Sequence, residues 1–416
     1  MSVEIERLRY TDKLRLISRD ARLTIIIWAF NGFAYGINDV LFNLYLFEAG
    51  FGEDFIGFFL SISVFLIGGL AIFVGMLADR FPRKIILFIG LTTSVSALFI
   101  QYSTLNPQFL MISQILVGIG TALTGVCWQP YTVSVTTEEE RVHVFSIRFA
   151  FFLVANLLGS LTGGFLPSIW SYFNIGIELL VAYRLSLWTA LIPLVLAVVT
   201  VIPMTTDKVE KKHGRFNFTN IKNKGFIGKY ALAWTVSGLG AGLFVSFFNL
   251  FFTLAFNVDE VTIGIIFAIY TLIVAGGNFA SPAIVDRFGK LGTIIWFQIL
   301  SIPFLAILSW SPILSIAVIG FLGRGLAMNI AWPVMDVFYM EGLEKEEQST
   351  AMGVINTGDA LSRAIGLNLG GVLLATGYLR APYFVAIFFY VASIILFYWF
   401  FNRRGESLSE GEVSTD

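Results

Sequence analysis

Charged side chains are scarce, at 13% of 416 residues, roughly half the share usual in soluble domains. Cys127 is the one cysteine, so no disulfide can form within the chain. Only two histidines are present, His143 and His213, both in polar segments. No metal-ligand spacing, phosphate loop or nucleophile elbow accompanies them. These shortages argue against a metal centre and an enzyme; no cofactor, metal or nucleic-acid partner is expected. The apolar runs are continuous rather than alternating, which excludes a porin-like barrel.

What is abundant is apolar sequence, 56% of residues including 42 Phe. Runs long enough to cross a hydrocarbon layer of about 30 Å as a helix recur along the whole length. Twelve are predicted: Leu23–Phe47, Phe55–Ala78, Ile85–Ser103, Phe109–Ser134, Val144–Leu166, Tyr183–Ile202, Tyr230–Phe256, Thr262–Val285, Gly292–Ser309, Pro312–Tyr339, Ala351–Leu374 and Tyr383–Phe401. In lipid such runs must satisfy their own backbone, and a helix does so. The expectation is an all-α membrane protein in the bilayer.

The sparse charge sets an orientation. Of 27 Lys and Arg, only Arg148, Arg184, Arg324 and Arg363 within spans and Arg380 in an outer loop lie off one side. Cytoplasmic loops retain positive charge, so both termini are predicted to be cytoplasmic. The first 22 residues, with six cations among acids and polar groups, do not match a cleaved signal peptide. A basic linker at 204–229 separates segments 23–203 and 230–401, and 402–416 forms a tail. Asn217 and Thr219 in the linker match a glycosylation acceptor, accidental in a cytoplasmic loop.

The two halves repeat. Asp79-Arg80-Phe81 recurs 207 residues later as Asp286-Arg287-Phe288, and the same offset maps Gly118 to Gly325, Glu140 to Glu347, Gly159 to Gly366, and Gly163-Gly164 to Gly370-Gly371. One register across several regions argues for duplicated six-span units. The turn between the second and third spans carries Gly75, Asp79, Arg80, Arg83 and Lys84 in the string GMLADRFPRK. This closely resembles the loop signature of the major facilitator superfamily, Gly-x-x-x-Asp-Arg/Lys-x-Gly-Arg/Lys-Arg/Lys, with Pro82 where the family usually has glycine.

That resemblance implies twelve transmembrane helices in two pseudo-symmetric six-helix bundles around an alternating-access cavity. It implies that the turn is a conformational latch: Asp79 would cap the eleventh helix near Ser349–Ala351, complementing its dipole, while Arg83 and Arg141 complete the cluster, with Asp286 and Arg287 their repeat. Two further family patterns are weak. The antiporter motif of helix five lacks its proline in Ala155-x-x-x-Gly159-Ser160-x-x-Gly163-Gly164, and Gln114 stands where many proton-coupled exporters carry arginine.

Polar and ionisable residues inside spans are costly and therefore informative. Asn31, Tyr35, Asn38, Asp39 and Asn43 fall on an arc of about 140° around span one. Asn249 joins them from span seven, and span ten carries Arg324, Asn329 and Trp332. Span eleven carries Asn356, Asp359 and Arg363, the last two at i,i+4 and able to pair; Gly366 and Gly370 on the same face mark a close helix contact. Asp39, a match by position to the family's helix-one carboxylates, is a candidate for proton coupling, with Asp359 as a companion candidate, or a structural acid locked to Arg324 or Arg363. Arg324 between two glycines is the candidate for an anionic group, while Arg148 and Arg184 read as snorkelling. Trp128, Trp234, Trp332, Tyr35 and Tyr270 are candidate aromatic surfaces, and Pro130 and Pro333 candidate kinks.

The expectation is a monomeric secondary transporter in the cell (plasma or inner) membrane. The first reading is proton-coupled export of an amphipathic or drug-like molecule. The alternative is uptake or exchange of a small organic anion bound by Arg324 or Arg363. A non-transporting membrane sensor is more remote.

Overall fold

The computed structural model describes residues 17–173, 176–207, 223–343 and 345–412. Most of the basic linker, with its Asn217 acceptor, and Arg7, Arg9, Lys13 and Arg15 lie outside the described residues. Among those described, the chain is helical and holds no strand. The helices are α1 Arg19–Glu48, α2 Glu53–Ala78, α3 Arg83–Ser103, α4 Pro107–Ser134, α5 Glu138–Phe173, α6 Leu179–Val201, α7 Lys224–Gly242, α8 Phe248–Phe256, α9 Glu260–Trp310, α10 Leu314–Glu341, α11 Lys345–Ala375 and α12 Ala381–Glu412.

Local chemistry sets several ends. Asn106 caps α4 by accepting from Gln108 N at 2.9 Å, with Pro107 at the first helical position. Thr137 and Glu140 form a reciprocal capping box at the start of α5, and Glu140 also accepts from Ser18 N at 3.1 Å. This box starts α5 several residues before the predicted Val144. It also gives Glu140 a structural place.

The predicted span seven differs from the helices found. Span seven is broken: α7 ends at Gly242, a 3-10 turn covers Val245–Phe247, and α8 follows. Spans eight and nine are the two helical stretches of α9 on either side of Gly289, where φ is 68° and ψ 167° and the helix is interrupted. Glycine alone tolerates such a backbone readily. Ten helices among the described residues are long and apolar enough to cross a membrane, counting α7 and α8 as one and α9 as one. The 31-residue α11 is not among the ten; it carries Asp359 and Arg363.

The chain forms two compact units. Unit 1 comprises Met1–Tyr45, Leu70–His213 and Glu260–Ala268; unit 2 comprises Leu46–Gly69, Gly214–Asp259 and Ile269–Asp416. Unit 1 has a core of residues such as Ile27, Ile86, Leu87, Trp128 and Val201, with α3 packed against α4 and α6. Unit 2 is dense in aromatics, including Phe226, Tyr230, Tyr339, Phe397 and Phe401, and its α7 packs against α11 and α12.

Relative to 23–203 and 230–401, a short segment of α2 groups with unit 2 and a short segment of α9 with unit 1, and a pair of glycines lies at each crossing. In unit 2, Gly57 of α2 lies against Gly371 of α11, where an added Cβ would come within 2.8 Å of the partner Cα. In unit 1, Gly264 of α9 lies against Gly164 of α5, with the corresponding distance 2.9 Å. The 207-residue offset carries Gly57 onto Gly264 and Gly164 onto Gly371. The two crossings are therefore repeats of one another.

Candidate functional site

Each unit encloses a cavity of its own. That of unit 2 has a volume of about 140 Å³ and is built by α7, α9, α10, α11 and α12. Arg324 enters it from the middle of α10 and is only 7% exposed. Its Nη2 donates to the Tyr390 hydroxyl at 2.6 Å, and its guanidinium carbon lies 4.7 Å from the Phe244 ring centroid. Nε is buried without a hydrogen-bond partner among the described residues. No carboxylate there pairs with Arg324 either, so tyrosine and aromatic faces hold the cation without neutralising it.

Asp359 and Arg363 line the same cavity from α11 and do pair, Nε to Oδ2 at 2.7 Å. The pair faces α7 and α10 within unit 2: Gly238 of α7 leaves room for the carboxylate, and Arg363 lies 5.9 Å from the Trp332 ring. Oδ1 of Asp359 is buried without a hydrogen-bond partner. Gly366 sits against the backbone of α7 at Leu239 and Gly242, and Gly370 against Leu243 just beyond it. Asn329 donates to the Tyr270 hydroxyl at 3.2 Å and to Gly325 O at 2.9 Å. Trp332 and Trp234 complete an aromatic wall, their rings 6.5 Å apart.

The cavity of unit 1 is larger, about 450 Å³, and takes Asn31, Tyr35 and Asn38 from α1 and Trp128 from α4. Asn38 accepts from Tyr102 OH at 2.9 Å, and Asn31 donates to Ile27 O at 2.8 Å. The two cavities repeat one another at the 207-residue offset: Ala34, Asn38, Val117, Thr121, Gly125, Trp128 and Phe152 correspond to Ala241, Val245, Arg324, Met328, Trp332, Met335 and Asp359, all lining positions. The fold repeats while the charge does not, since Arg324 and Asp359 replace an apolar Val117 and Phe152.

Other candidates lie elsewhere. Asp39 is exposed on α1 and lines neither cavity. Asn43 and Asn249 are buried, the latter accepting from Leu250 N, and Asn356 is exposed. In the latch region Gly75 is half-buried, while Asp79 and Arg80 are exposed, as are Asp286 and Arg287. Arg83 and Arg141, expected in one cluster, each have a partner of their own among the described residues. Arg83 meets Asp207 at 3.5 Å, and Lys84 N donates to the same carboxylate at 3.2 Å, because Asp207 follows α6 directly beside the start of α3. Arg141 reaches Val133 O instead. Residues 349–351 lie inside α11, which starts at Lys345, so they are not its N-terminal end. Lys290 of the second copy of the turn pairs with Glu341 at 2.6 Å.

A profile of the Major Facilitator Superfamily matches residues 24–234 and 230–414. The chain belongs to the Major Facilitator Superfamily. As a superfamily member it has a transporter's fold and family rather than an enzyme's. Its structure is similar to that of the nucleoside transporter NupG, with a TM-score of 0.70 at 13% identity over 92% of this chain and 98% of that one. It also resembles a bacterial homologue of the human lysosomal transporter Spinster in an inward-facing, occupied conformation, with a TM-score of 0.71 at 13% identity over 91% and 95%. A third is the human organic anion transporter MFSD10, with a TM-score of 0.64 at 14% identity over 91% and 99%. In sequence, the Methylenomycin A resistance protein of Bacillus subtilis (strain 168) is 31% identical over 115 residues, which are 26% of this chain and 23% of that protein.

Sequence reasoning missed Arg148 as a site residue in this superfamily member. Rather than snorkelling, it is 6% exposed and lines the cavity of unit 1. A signal existed: Trp28, Trp128 and Arg148 all lie toward the same end of the predicted spans, but which helices meet there is set by tertiary packing.

Proposed function

We propose that this chain is a secondary transporter of an amphipathic organic anion, working by alternating access, with Arg324 meeting the anionic group. One observation carries the reading: Arg324 is buried in a cavity, and no carboxylate among the described residues neutralises it. A buried unpaired cation is expensive, and a bound anion relieves that penalty while Trp332, Trp234 and Tyr270 provide apolar surface for the rest of the ligand. Arg363 already holds Asp359 and has less to give. The anion reading therefore takes precedence over a lipophilic cation as cargo.

Export is the direction supported by similarity to a resistance protein. Asp39 is retained as the proton-coupling candidate on the polar face of α1, with Asp359 as its possible companion in unit 2. The charge bias of the loops supports cytoplasmic termini, and the reading keeps a cell membrane, a monomeric working unit and the turn at Gly75–Lys84 as part of a latch.

Expression in a bacterial host deprived of its own exporters tests this. Tolerance to graded amphipathic carboxylic acids should rise, and Arg324→Gln should abolish the gain. Tolerance rising for lipophilic cations alone would overturn the reading.

A further inference from the structure

Arg148 lies in unit 1, well away in sequence from Arg324, and its surroundings form a second built site. Its guanidinium lies against two rings, 4.3 Å from the centroid of Trp28 and 4.6 Å from that of Phe145. Nη1 donates to Thr132 Oγ1 at 3.0 Å. No ion pair to Arg148 is formed among the described residues. The guanidinium is itself planar and presents its N–H donors in one plane along its edge, a fork that suits a planar carboxylate.

The space beside it fits an organic molecule. A volume of about 450 Å³ falls within the range of small-molecule sites, roughly 300–1,000 Å³. Trp28 meets Trp128 edge to face at 6.4 Å and Phe152 at 5.6 Å, so one end of the cavity is aromatic. Asn38, Thr121 and Gln129 place polar groups around the rest. A single arginine, with no lysine or second arginine lining the cavity, matches one negative charge rather than a polyphosphate.

We propose that the cavity of unit 1 is a ligand site in which Arg148 binds the carboxylate of an aromatic monocarboxylic acid whose ring lies among Trp28, Trp128 and Phe152. This deepens the organic-anion reading above, on which it rests for the class of cargo, and adds a site that Arg324 does not share.

The test is calorimetric titration of the purified full chain with 1-naphthoate and its neutral isostere 1-naphthamide. In the Arg324→Gln background, which removes the other arginine, naphthoate should still bind, at least tenfold more tightly than the amide. Adding Arg148→Gln should weaken naphthoate at least tenfold, about 1.4 kcal/mol, and Arg148→Lys should restore only part of the loss. Equal affinities with and without Arg148 in that background would overturn the proposal, as would equal affinities for acid and amide. If naphthoate binding is lost on Arg324→Gln alone, the proposed function survives and the second site fails. If only Arg148→Gln weakens it, the reverse holds.

A labelling measurement keeps Arg148 in place and so does not depend on the folding of its variants. Thr121→Cys in a Cys127→Ser background puts a thiol in the cavity wall. Naphthoate, and not naphthamide, should slow its reaction with a maleimide at least tenfold. Unchanged labelling would overturn the proposal.

Discussion

Tyr390 of α12 accepts a hydrogen bond from Arg324 of α10 at 2.6 Å, with the guanidinium carbon 5.6 Å from the same ring. The phenol orients the cation without cancelling its charge. Tyr390→Phe removes the acceptor and keeps the ring, leaving a charged donor short of a partner. Hydrogen bonds to charged groups contribute about 1.5–3 kcal/mol. The thermal midpoint of the purified protein should fall accordingly, and anion binding should weaken several-fold. An unchanged midpoint would show that the hydrogen bond is replaced by solvent.

Asp359 and Arg363 should behave as one unit. Their side chains are 17% and 32% exposed, so removing either partner strands the other in a partly dry cavity. In a cycle of Asp359→Asn, Arg363→Gln and the double variant, the double loss should be smaller than the sum. A coupling of about 0.5–3 kcal/mol is expected from denaturation midpoints. Strict additivity would mean that the pair contributes nothing to stability.

The glycine crossings give a third expectation. Gly371→Leu puts a side chain where the backbone of Gly57 lies, whereas a Cβ at Gly276 meets nothing within 4 Å. Overpacking usually costs about 1–3 kcal/mol, and backbone yields less readily than side chains. Gly371→Leu should therefore lower the thermal midpoint clearly, or shift the spacing of spin labels on α2 and α11, while Gly276→Leu does neither. Equal behaviour of the two variants would contradict the crossing.

Much of the fold was legible because lipid leaves the backbone few options and because the duplication left a register to follow. The Asp359–Arg363 contact followed from helix period alone. What escaped the sequence depends on packing between distant segments. A break at Gly242–Phe247 looks like continuous apolar sequence. Asp207, the partner of Arg83, is an unremarkable acid after span six until α6 brings it beside α3. Arg148 looked peripheral since its distance from the end of the apolar run suggested snorkelling, but Trp28 and Phe145 enclose it. Asp39 stood out in the sequence for the opposite reason, as a lone acid in an apolar run, and it lines neither cavity.

The most direct measurement of the central claim is the thermal stability of purified protein against matched organic acids, their amides and lipophilic cations, for wild type and Arg324→Gln. A ligand present at a hundred times its dissociation constant stabilises by about 2.7 kcal/mol. Acids should raise the midpoint of the wild type, their amides should not, and the effect should shrink in Arg324→Gln. Stabilisation by cations alone, or by acids equally in both proteins, would contradict an anion held at Arg324.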